Sequence, residues 1–245
     1  MKKQRLDTVL VARGFYVDEQ EALRGVLAHE VRVDDVYATS AAILIDPDTA
    51  DIFVKGKRGY VSRGGYKLQK ALDAFGEDVR GKSCIDIGSS TGGFCDCLLQ
   101  AGAASVACVD VNYGQLAWKL RTDERVRVFE RTNIRTSDPA KLGAPFDILV
   151  ADVSFIGLAL LIPAFVGLCK PGSVFIGLIK PQFESKFGET DGGVVVDESV
   201  RIRTVEEVKE ALANEGFMIE GVVVSPIKGP KGNVEYLVKG VYTGK

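Results

Sequence analysis

The sequence predicts an α/β protein with a mostly parallel sheet, preceded by a small α+β module. Beyond residue 83, apolar strand segments alternate with helical segments, which is typical of a parallel sheet built from strand–helix–strand units. Residues 5–54 instead contain two short helical segments followed by short strand segments with turn residues between them. We therefore predict two domains, residues 1–59 and residues 60–245.

Composition and charge are those of a soluble globular protein. The 245 residues are 46% hydrophobic and 26% charged, and the formal net charge is −2. Any nucleic-acid surface must therefore be a local basic patch. The N-terminus lacks the apolar core of a signal peptide, and the apolar run at 155–169 contains Pro163 and is short for a membrane span. We predict a cytoplasmic protein without a membrane span, and a buried helix at 155–169.

The cysteines and the single histidine argue against several kinds of chemistry. The five cysteines are an odd number in mostly apolar contexts, which is typical of reduced, buried thiols rather than of a disulfide framework. Cys95 and Cys97 have the wrong spacing for a zinc site and no histidine beside them, so we predict no metal. His29 is the only histidine, which leaves almost nothing for serine–histidine–acid hydrolysis.

The stretch from Cys84 to Phe94 predicts a buried strand that ends in Asp86, then a glycine-rich turn and a helix over 94–100. The glycines would let the backbone approach a ligand closely, next to the free N–H groups at the helix start. A nicotinamide site is the obvious rival, but its Gly-x-Gly-x-x-Gly fingerprint is absent because Ser89-Ser90 follow Gly88. A tight turn that binds nothing is the other alternative.

Charged residues also end the strands predicted after this turn. Those strands lie at 105–110, 126–129, 146–152, 174–180, 219–225 and 234–241, and helices are predicted at 66–75, 115–121 and 198–214. Trp118, the only tryptophan, is predicted to pack in the core. Asp110, Asp152 and Lys180 stand at strand ends, and ligands of open α/β sheets bind where the carboxyl ends of strands meet. Asp110 could accept hydrogen bonds from both ribose hydroxyls of an adenosine, and Asn133 would lie beside the adenine.

Residues 55–70 form a basic connection between the two predicted domains. They include six basic residues and no acids, with glycines and tyrosines interleaved. A hinge that faces a polyanion needs such a composition, since tyrosines add stacking surfaces to the positive charge. An ordinary solvated linker would explain the glycines but not the absence of acids. We therefore predict that Lys55, Lys57, Arg58 and Arg63 bind RNA.

The N-terminal module is similar to the S4 RNA-binding domain. The matching residues are Arg5-Leu6-Asp7, Arg13-Gly14 and Val31-Arg32-Val33-Asp34. The resemblance implies that Arg5 and Arg13 contact RNA. The chain departs from the pattern at Asp18-Glu19, where S4 domains have a Ser-Arg pair, and at His29-Glu30, where they have a glycine. An acid in place of a phosphate-binding arginine reverses the local charge, so a module used for packing or protein contacts is the alternative.

The glycine turn resembles motif I of class I methyltransferases, and nearly the whole chain resembles the TlyA family, which joins an S4 module to an FtsJ-like domain. The resemblance is carried by Ser62–Leu68, Asp86–Phe94, Ala151–Phe155, Lys180–Glu184 and Asn233–Tyr236. It implies a Rossmann-like, mostly parallel seven-stranded sheet with a reversed last strand. It also implies S-adenosylmethionine as cofactor and ribosomal RNA, or a ribosomal subunit, as partner. The implied cofactor-binding residues are Asp86, Gly88, Ser89, Ser90, Thr91, Gly92, Gly93, Phe94, Asp110, Asn133 and Asp152.

The resemblance to FtsJ-type ribose 2′-O-methyltransferases further implies a catalytic set of Lys67, Asp152, Lys180 and Glu235. A ribose hydroxyl must lose its proton as it attacks, and a lysine can accept that proton only if its pKa falls from about 10.4 towards neutrality. A second lysine nearby would lower the pKa, whereas the two acids would orient the amines. We predict that Lys180 is the general base, that Lys67 and Glu235 position the ribose, and that Asp152 bridges cofactor and base. Four unrelated surface charges are the alternative.

The sequence thus predicts an S-adenosylmethionine-dependent 2′-O-ribose methyltransferase that acts on ribosomal RNA. The glycine-containing loop at 185–196 would fold over the bound substrate. The main alternative is a non-catalytic RNA-binding or ribosome-assembly factor that keeps the cofactor fold. Membrane lysis is implied by the family's older name, haemolysin. It has no support in the sequence, which shows no membrane span, signal or long basic amphipathic helix.

Overall fold

The N-terminal module consists of two helices and two small antiparallel sheets around one apolar core. The computed structural model describes residues 3–34, 36–47, 50, 52–56, 59–229 and 231–244. The elements of the module are α1 (Leu6–Ala12), α2 (Glu19–Leu27), β1 (Gln4–Arg5), β2 (Val31–Val33), β3 (Val36–Tyr37), β4 (Leu44–Ile45) and β5 (Ile52–Val54). β2 pairs with β3 and β5, and β1 pairs with β4. The predicted helices and strands of this module are confirmed, and β1 and β3 are additions.

The acids at the start of α2 serve the helix itself. Asp18 is the N-cap residue, and its side chain accepts a hydrogen bond of 2.7 Å from the N–H of Glu21. Glu21 in turn accepts a hydrogen bond of 2.8 Å from the N–H of Val17. One donor of the first turn and the N–H of the residue before the N-cap are satisfied in this way. The departure from the S4 pattern at Asp18 therefore has a local structural use.

The rest of the chain forms a sheet with helices packed on it. Its strands are β6 (Ser83–Ile87), β7 (Ser105–Val109), β8 (Val126–Phe129), β9 (Phe146–Ala151), β10 (Cys169–Ile179), β11 (Phe217–Val224) and β12 (Tyr236–Tyr242). Its helices are α3 (Gly64–Phe75), α4 (Gly93–Gln100), α5 (Trp118–Arg121), α6 (Pro139–Leu142), α7 (Ile162–Phe165), α8 (Pro181–Glu184) and α9 (Glu198–Asn214). The predicted bounds of α9 are confirmed at both ends, since Asp197 caps it by accepting a hydrogen bond from the N–H of Ser199.

The strand order fixes the fold class. Among the described residues the large sheet has seven strands in the order β11-β12-β10-β9-β6-β7-β8. β10, β9, β6, β7 and β8 are parallel to one another, whereas β12 is antiparallel to both β10 and β11. The predicted mostly parallel sheet with a reversed last strand is therefore confirmed.

Both faces of the central strands are apolar, which is why these strands are nearly continuous hydrophobic runs. Along β6 and β9, Ile85 and Leu149 belong to one buried cluster, and Cys84 and Ile148 belong to the other. Such a sheet needs helices on both faces, and its ligands approach at the carboxyl edge. Asp86 is the penultimate residue of β6, at that edge.

Two predictions about apolar side chains are wrong. The run at 155–169 is not one helix: it contains α7 between two short 3₁₀ turns, Leu158–Leu160 and Val166–Leu168. Pro163 lacks a backbone N–H and lies at the start of α7, where a new helix can begin but an existing one cannot continue. Trp118, expected to pack in the core, is 75% exposed. No helix in the described part of the chain is long and apolar enough to cross a membrane.

Candidate active site

A cavity of about 670 Å³ opens at the carboxyl edge of the sheet. Its lining joins the glycine turn after β6, the start of α3, the segments after β9 and β10, and the segment before β12. The predicted site residues that line it are Arg63, Lys67, Asp86, Gly88, Ser89, Ser90, Thr91, Gly93, Phe94, Asp152, Lys180 and Glu235. Gly92, Asp110 and Asn133 do not line it.

The glycine turn is built for close backbone contacts. Gly88 has a φ of +80°, and a Cβ on it would lie 2.7 Å from the carbonyl oxygen of Asp152. A Cβ on Gly93 would lie 2.3 Å from the Ser62 hydroxyl and 2.9 Å from the backbone nitrogen of Gly65. Side chains are therefore excluded at both positions, because the turn touches the end of β9 and the start of α4 touches the start of α3.

Asp86 is a fully buried carboxyl group beside the turn. Its Oδ2 accepts a hydrogen bond of 2.9 Å from the N–H of Cys95, whereas Oδ1 has no hydrogen-bond partner among the described residues. Burial raises the pKa of Asp86 to about 8, against the effect of the Cys95 hydrogen bond and with smaller additions from the charges of Asp152 and Asp110. A buried oxygen without a partner in a cavity wall is an acceptor for a ligand donor.

Asp110 follows β7 and holds the far side of the turn. Its Oδ2 accepts a hydrogen bond of 2.8 Å from the N–H of Ser90, and its Oδ1 accepts one of 2.8 Å from the N–H of Asn112. Asn133 is exposed, and its Oδ1 accepts a hydrogen bond of 3.0 Å from the N–H of Arg135. Asp110 is thus fixed next to the turn, while Asn133 organises its own turn outside the cavity lining.

The first of two lysine–carboxylate pairs joins α3 to the segment before β12. Lys67 Nζ lies 2.6 Å from Glu235 Oε2, and the two side chains are 5% and 1% exposed. Gln182 adds a hydrogen bond of 3.4 Å from Nε2 to the other carboxylate oxygen of Glu235. Removing one partner of a buried pair of this kind strongly destabilises the folded protein, because the other charge is left uncompensated.

The second pair joins the ends of β9 and β10. Lys180 Nζ lies 2.6 Å from Asp152 Oδ1 and donates a hydrogen bond of 2.8 Å to the Ser154 hydroxyl. Burial opposes the ionisation of Asp152, but the positive charges of Lys180, Lys67 and Arg63 outweigh it, so the pKa of Asp152 lies below its ordinary value. Asp152 therefore stays ionised between two lysines.

Two phenylalanines lie at the cavity. Phe155 is 93% exposed and adopts a φ of +65°, a left-handed conformation that is costly for a bulky residue. Its ring centroid lies 5.6 Å from that of Phe183, and Lys180 Nζ lies 5.9 Å from the Phe183 centroid. The pair forms an aromatic surface beside the second lysine–carboxylate pair.

Asn233 ties down the loop that borders the cavity. It is buried, its Oδ1 accepts a hydrogen bond of 2.9 Å from the N–H of Val195, and its Nδ2 donates one of 2.9 Å to the carbonyl of Gly193. Thr190 and Gly193, from the loop expected to cover the substrate, line the cavity together with Asn233. One buried side chain thus fixes the position of that loop.

The residues predicted to bind RNA differ in their contacts and in their positions in the fold. Arg5 pairs with Asp7 at 2.5 Å, and Arg13 donates hydrogen bonds of 3.1 and 2.9 Å to the carbonyls of Ala50 and Pro47. Arg63 is the N-cap residue of α3 and lines the cavity. Lys55 is exposed in the turn after β5. The other two predicted residues, Lys57 and Arg58, lie outside the described residues.

Several residues without a role in the sequence-based prediction line the cavity, and five of them stand close to the lysine–carboxylate pairs in sequence. They are Ser154, Phe155, Gln182, Phe183 and Asn233. A signal was present, since all five stand in the segments around 151–155, 180–184 and 233–236 that carried the family resemblance. The lysines and acids of those segments have an obvious role in proton transfer, whereas the neutral residues beside them do not.

Comparison with known proteins agrees with the geometry. The family described as FtsJ-like methyltransferase matches residues 60–242. The chain is 44% identical over 239 residues to the 16S/23S rRNA (cytidine-2′-O)-methyltransferase TlyA of Mycobacterium tuberculosis, a match that covers 97% of this chain and 89% of that protein. It is 39% identical over 235 residues to Hemolysin A of Brachyspira hyodysenteriae, covering 95% of this chain and 98% of that one.

A solved structure from Streptococcus thermophilus gives the same picture in three dimensions. It superposes on this chain with a TM-score of 0.77 at 37% sequence identity, and the match covers 100% of this chain and 90% of the other. The likeness therefore includes the N-terminal module as well as the large sheet.

Proposed function

This chain belongs to the TlyA group of the FtsJ-like methyltransferase family, and we propose that it is an S-adenosylmethionine-dependent 2′-O-ribose methyltransferase that acts on ribosomal RNA. The observation that carries the proposal is the presence of two lysine–carboxylate pairs, Lys67–Glu235 and Lys180–Asp152, in one cavity behind the glycine turn. The ribose position and the ribosomal substrate rest on the name of the Mycobacterium tuberculosis relative.

The residues around the turn fit a methyl donor of the adenosyl type. Gly88 and Gly93 let the turn pack against the end of β9 and the start of α3, and Asp86 has a buried carboxyl oxygen, Oδ1, without a partner among the described residues that would pair with a ligand amine. The carboxylate of Asp110, held by two backbone N–H groups, retains lone pairs for ribose hydroxyls. Asn133 supports the proposal least, because its side-chain oxygen is used within its own turn. S-adenosylmethionine would supply a methyl group on a positively charged sulfur.

We assign Lys180 as the group that accepts the proton of the ribose hydroxyl. Lys180 pairs with Asp152, and Lys67 is a second cation that acts on the same carboxylate. Lys180 must first lose its own proton to solvent, which the positive charge of Lys67 would favour, and it can then take the proton of the 2′-hydroxyl as the ribose oxygen attacks. Ser154, which accepts a hydrogen bond from Lys180, would keep the amine aimed while it is neutral.

The aromatic surface of Phe155 and Phe183 supports an RNA nucleotide as the substrate. Exposed phenylalanine in a strained backbone conformation is costly, and such strain occurs mostly at functional sites. A base taken out of its helix stacks favourably on aromatic rings, so Phe155 would receive the base while the sugar meets the lysines. Action on ribosomal RNA would place the protein in the cytoplasm.

The experiment is methyl transfer to defined RNA. Ribosomal subunits from cells that lack this protein would be incubated with it and with S-adenosylmethionine labelled in the methyl group, and ribose methylation would be mapped by nucleotide. We expect one or a few new 2′-O-methyl groups with the wild-type protein and none with Lys180→Ala. Labelled RNA with the methyl group on a base, or no transfer to RNA from either subunit, would overturn the proposal. The second outcome would favour the non-catalytic RNA-binding factor.

A further inference from the structure

A second groove, of about 400 Å³, lies between the N-terminal module and the methyltransferase domain. One wall is α1 together with Pro47, and the other is the segment 226–232 that precedes β12. Sequence reasoning assigned no role to that segment. The groove is therefore formed by both domains, and a ligand in it would touch both.

The charged side chains that line the groove are all positive. They are Arg13, Arg63, Lys228 and Lys231, and no acid occurs among the described residues that line it. Composition does not explain this lining, since the chain has 33 acids and 31 lysines and arginines. Glu19 accepts a hydrogen bond from Thr8, a lining residue, but does not itself line the groove.

The groove adjoins the catalytic cavity. The side chains of Arg63 and Lys231 line both the groove and the cavity, so these two residues form the boundary that the two spaces share. The positive charge of Arg63 also helps to lower the pKa of Asp152, so Arg63 acts on the second lysine–carboxylate pair. A chain whose target nucleotide occupies the cavity can leave it along this groove.

The two lysines of the 226–232 segment have charge available for a ligand. Lys228 is exposed, and within the described residues no hydrogen bond or ion pair is made by its side chain. Lys231 donates a hydrogen bond of 3.1 Å to the carbonyl of Gly192, a neutral acceptor that does not cancel its charge. Two uncompensated ammonium groups beside this groove suit the phosphates of a nucleic-acid strand.

We propose that this groove binds the phosphate backbone of the RNA strand that flanks the target nucleotide, with Lys228 and Lys231 as phosphate contacts. The inference rests on the proposed function for the identity of the nucleic acid. It differs from the predicted S4-type contacts because three of the four positive side chains, Arg63, Lys228 and Lys231, come from the methyltransferase domain. RNA binding would therefore be shared between the domains at the entrance of the active site.

The test compares wild-type protein with Lys228→Gln and with the double variant Lys228→Gln/Lys231→Gln. The probe is ribosomal RNA from cells that lack this protein, and the dissociation constant is measured over a range of salt concentrations. Each lysine that neutralises a phosphate should lower the salt slope, the change of log affinity with log salt, by about 0.7. The control is Lys82→Gln/Lys141→Gln, which removes two exposed lysines that line neither space. We expect its slope to equal that of the wild type.

Methyl transfer separates this inference from the proposed function. If wild-type protein methylates RNA and Lys228→Gln retains the wild-type salt slope, the groove proposal is overturned while the function stands. If RNA binding and its slope fall as expected but no protein transfers a methyl group, the groove stands and the enzyme function fails. Tighter binding of polyglutamate than of RNA by the wild type would overturn the groove proposal in favour of an acidic protein ligand. The single variant matters because Lys231 also contacts the loop at Gly192.

Discussion

Lys67 and Glu235 are 168 positions apart in sequence, yet Nζ and Oε2 lie 2.6 Å apart in a site from which water is nearly excluded. The pair connects α3, which follows the basic connection, to the segment before the reversed strand β12. It therefore closes one side of the cavity by joining the two ends of the methyltransferase domain. Its integrity is a condition both for the fold and for the position of Lys67.

Glu235→Gln should destabilise the protein strongly. The substitution leaves the Lys67 ammonium buried without a countercharge, which costs about 3–5 kcal/mol in comparable pairs. Urea unfolding of the protein without ligands measures the loss. The matched control is Glu206→Gln, which breaks the Lys209–Glu206 pair on the surface of α9, where the Glu206 side chain is 61% exposed. That control should cost less than about 1 kcal/mol, and equal losses for the two variants would contradict the expectation.

Lys180 can be tested as a base rather than as a positive charge. Lys180→Arg keeps a cation near Asp152, but a guanidinium does not give up its proton and cannot accept one from a ribose hydroxyl. Both Lys180→Arg and Lys180→Ala should lose about 10²- to 10⁴-fold in kcat, while cofactor binding persists. Single-turnover methyl transfer at saturating RNA measures the loss. Wild-type rates for Lys180→Arg would show that only the charge is needed.

Much of the fold could be predicted because its signals are local. The run into Asp86 and the glycines after it define a strand, a turn and a helix within a dozen residues, and the period that follows defines the parallel sheet. The apolar run at 155–169 shows where local signals fail. Hydrophobicity predicted burial there, yet Phe155 is exposed because the segment after β9 turns outward at the carboxyl edge, where the cavity opens.

The sequence indicated the charged residues of the candidate site but not the contacts between them. Sequence order cannot say which lysine pairs with which acid, since the partners are brought together only by the strand order of the sheet. The arginines show the same limit. Arg13 is predicted to contact RNA, and in the fold two of its guanidinium nitrogens also donate hydrogen bonds to the carbonyls of Ala50 and Pro47, contacts that the sequence did not indicate. Whether a surface arginine faces solvent or a neighbouring loop depends on tertiary packing, which no local pattern encodes.

Asp86 should make stability depend on pH in the unusual direction. Its pKa is raised to about 8 by burial, so the folded protein keeps a proton that the unfolded chain has lost above pH 5. The unfolded state then binds fewer protons, and the free energy of unfolding should fall as pH rises from about 5 to 8, by up to about 1.4 kcal/mol per pH unit. Above pH 8 both states are ionised and this contribution stops changing.

Urea unfolding of wild-type protein and Asp86→Asn at several pH values tests this dependence. Asparagine does not titrate, so the variant should show a flatter profile between pH 5 and 8. Asp147→Asn is the control, because the Lys170 contact lowers the pKa of Asp147 to about 2 and its titration lies below this window. Parallel profiles for wild type and Asp86→Asn would show that Asp86 is already ionised at pH 5.

Asn233→Ala should loosen the loop that borders the cavity. The substitution removes the acceptor of the Val195 N–H and the donor to the Gly193 carbonyl, so faster amide hydrogen exchange is expected at 193–195. Asn233→Asp keeps the acceptor and loses only the donor, so its exchange should be intermediate. A wild-type exchange rate at Val195 in Asn233→Ala would mean that other contacts hold the loop.

Phe155→Ala should impair RNA use without destabilising the protein. Because the ring is 93% exposed, its loss should change the free energy of unfolding by less than about 0.5 kcal/mol. Stacking of one base on an aromatic ring contributes about 1–3 kcal/mol, so KM for RNA should rise about 5- to 150-fold while cofactor affinity is unchanged. Phe187→Ala is the matched control, since Phe187 is also fully exposed but does not line the cavity. An equal rise of KM in both variants would assign the effect to general surface hydrophobicity, whereas a rise confined to Phe155→Ala would tie the strained backbone at this position to recognition of the target base.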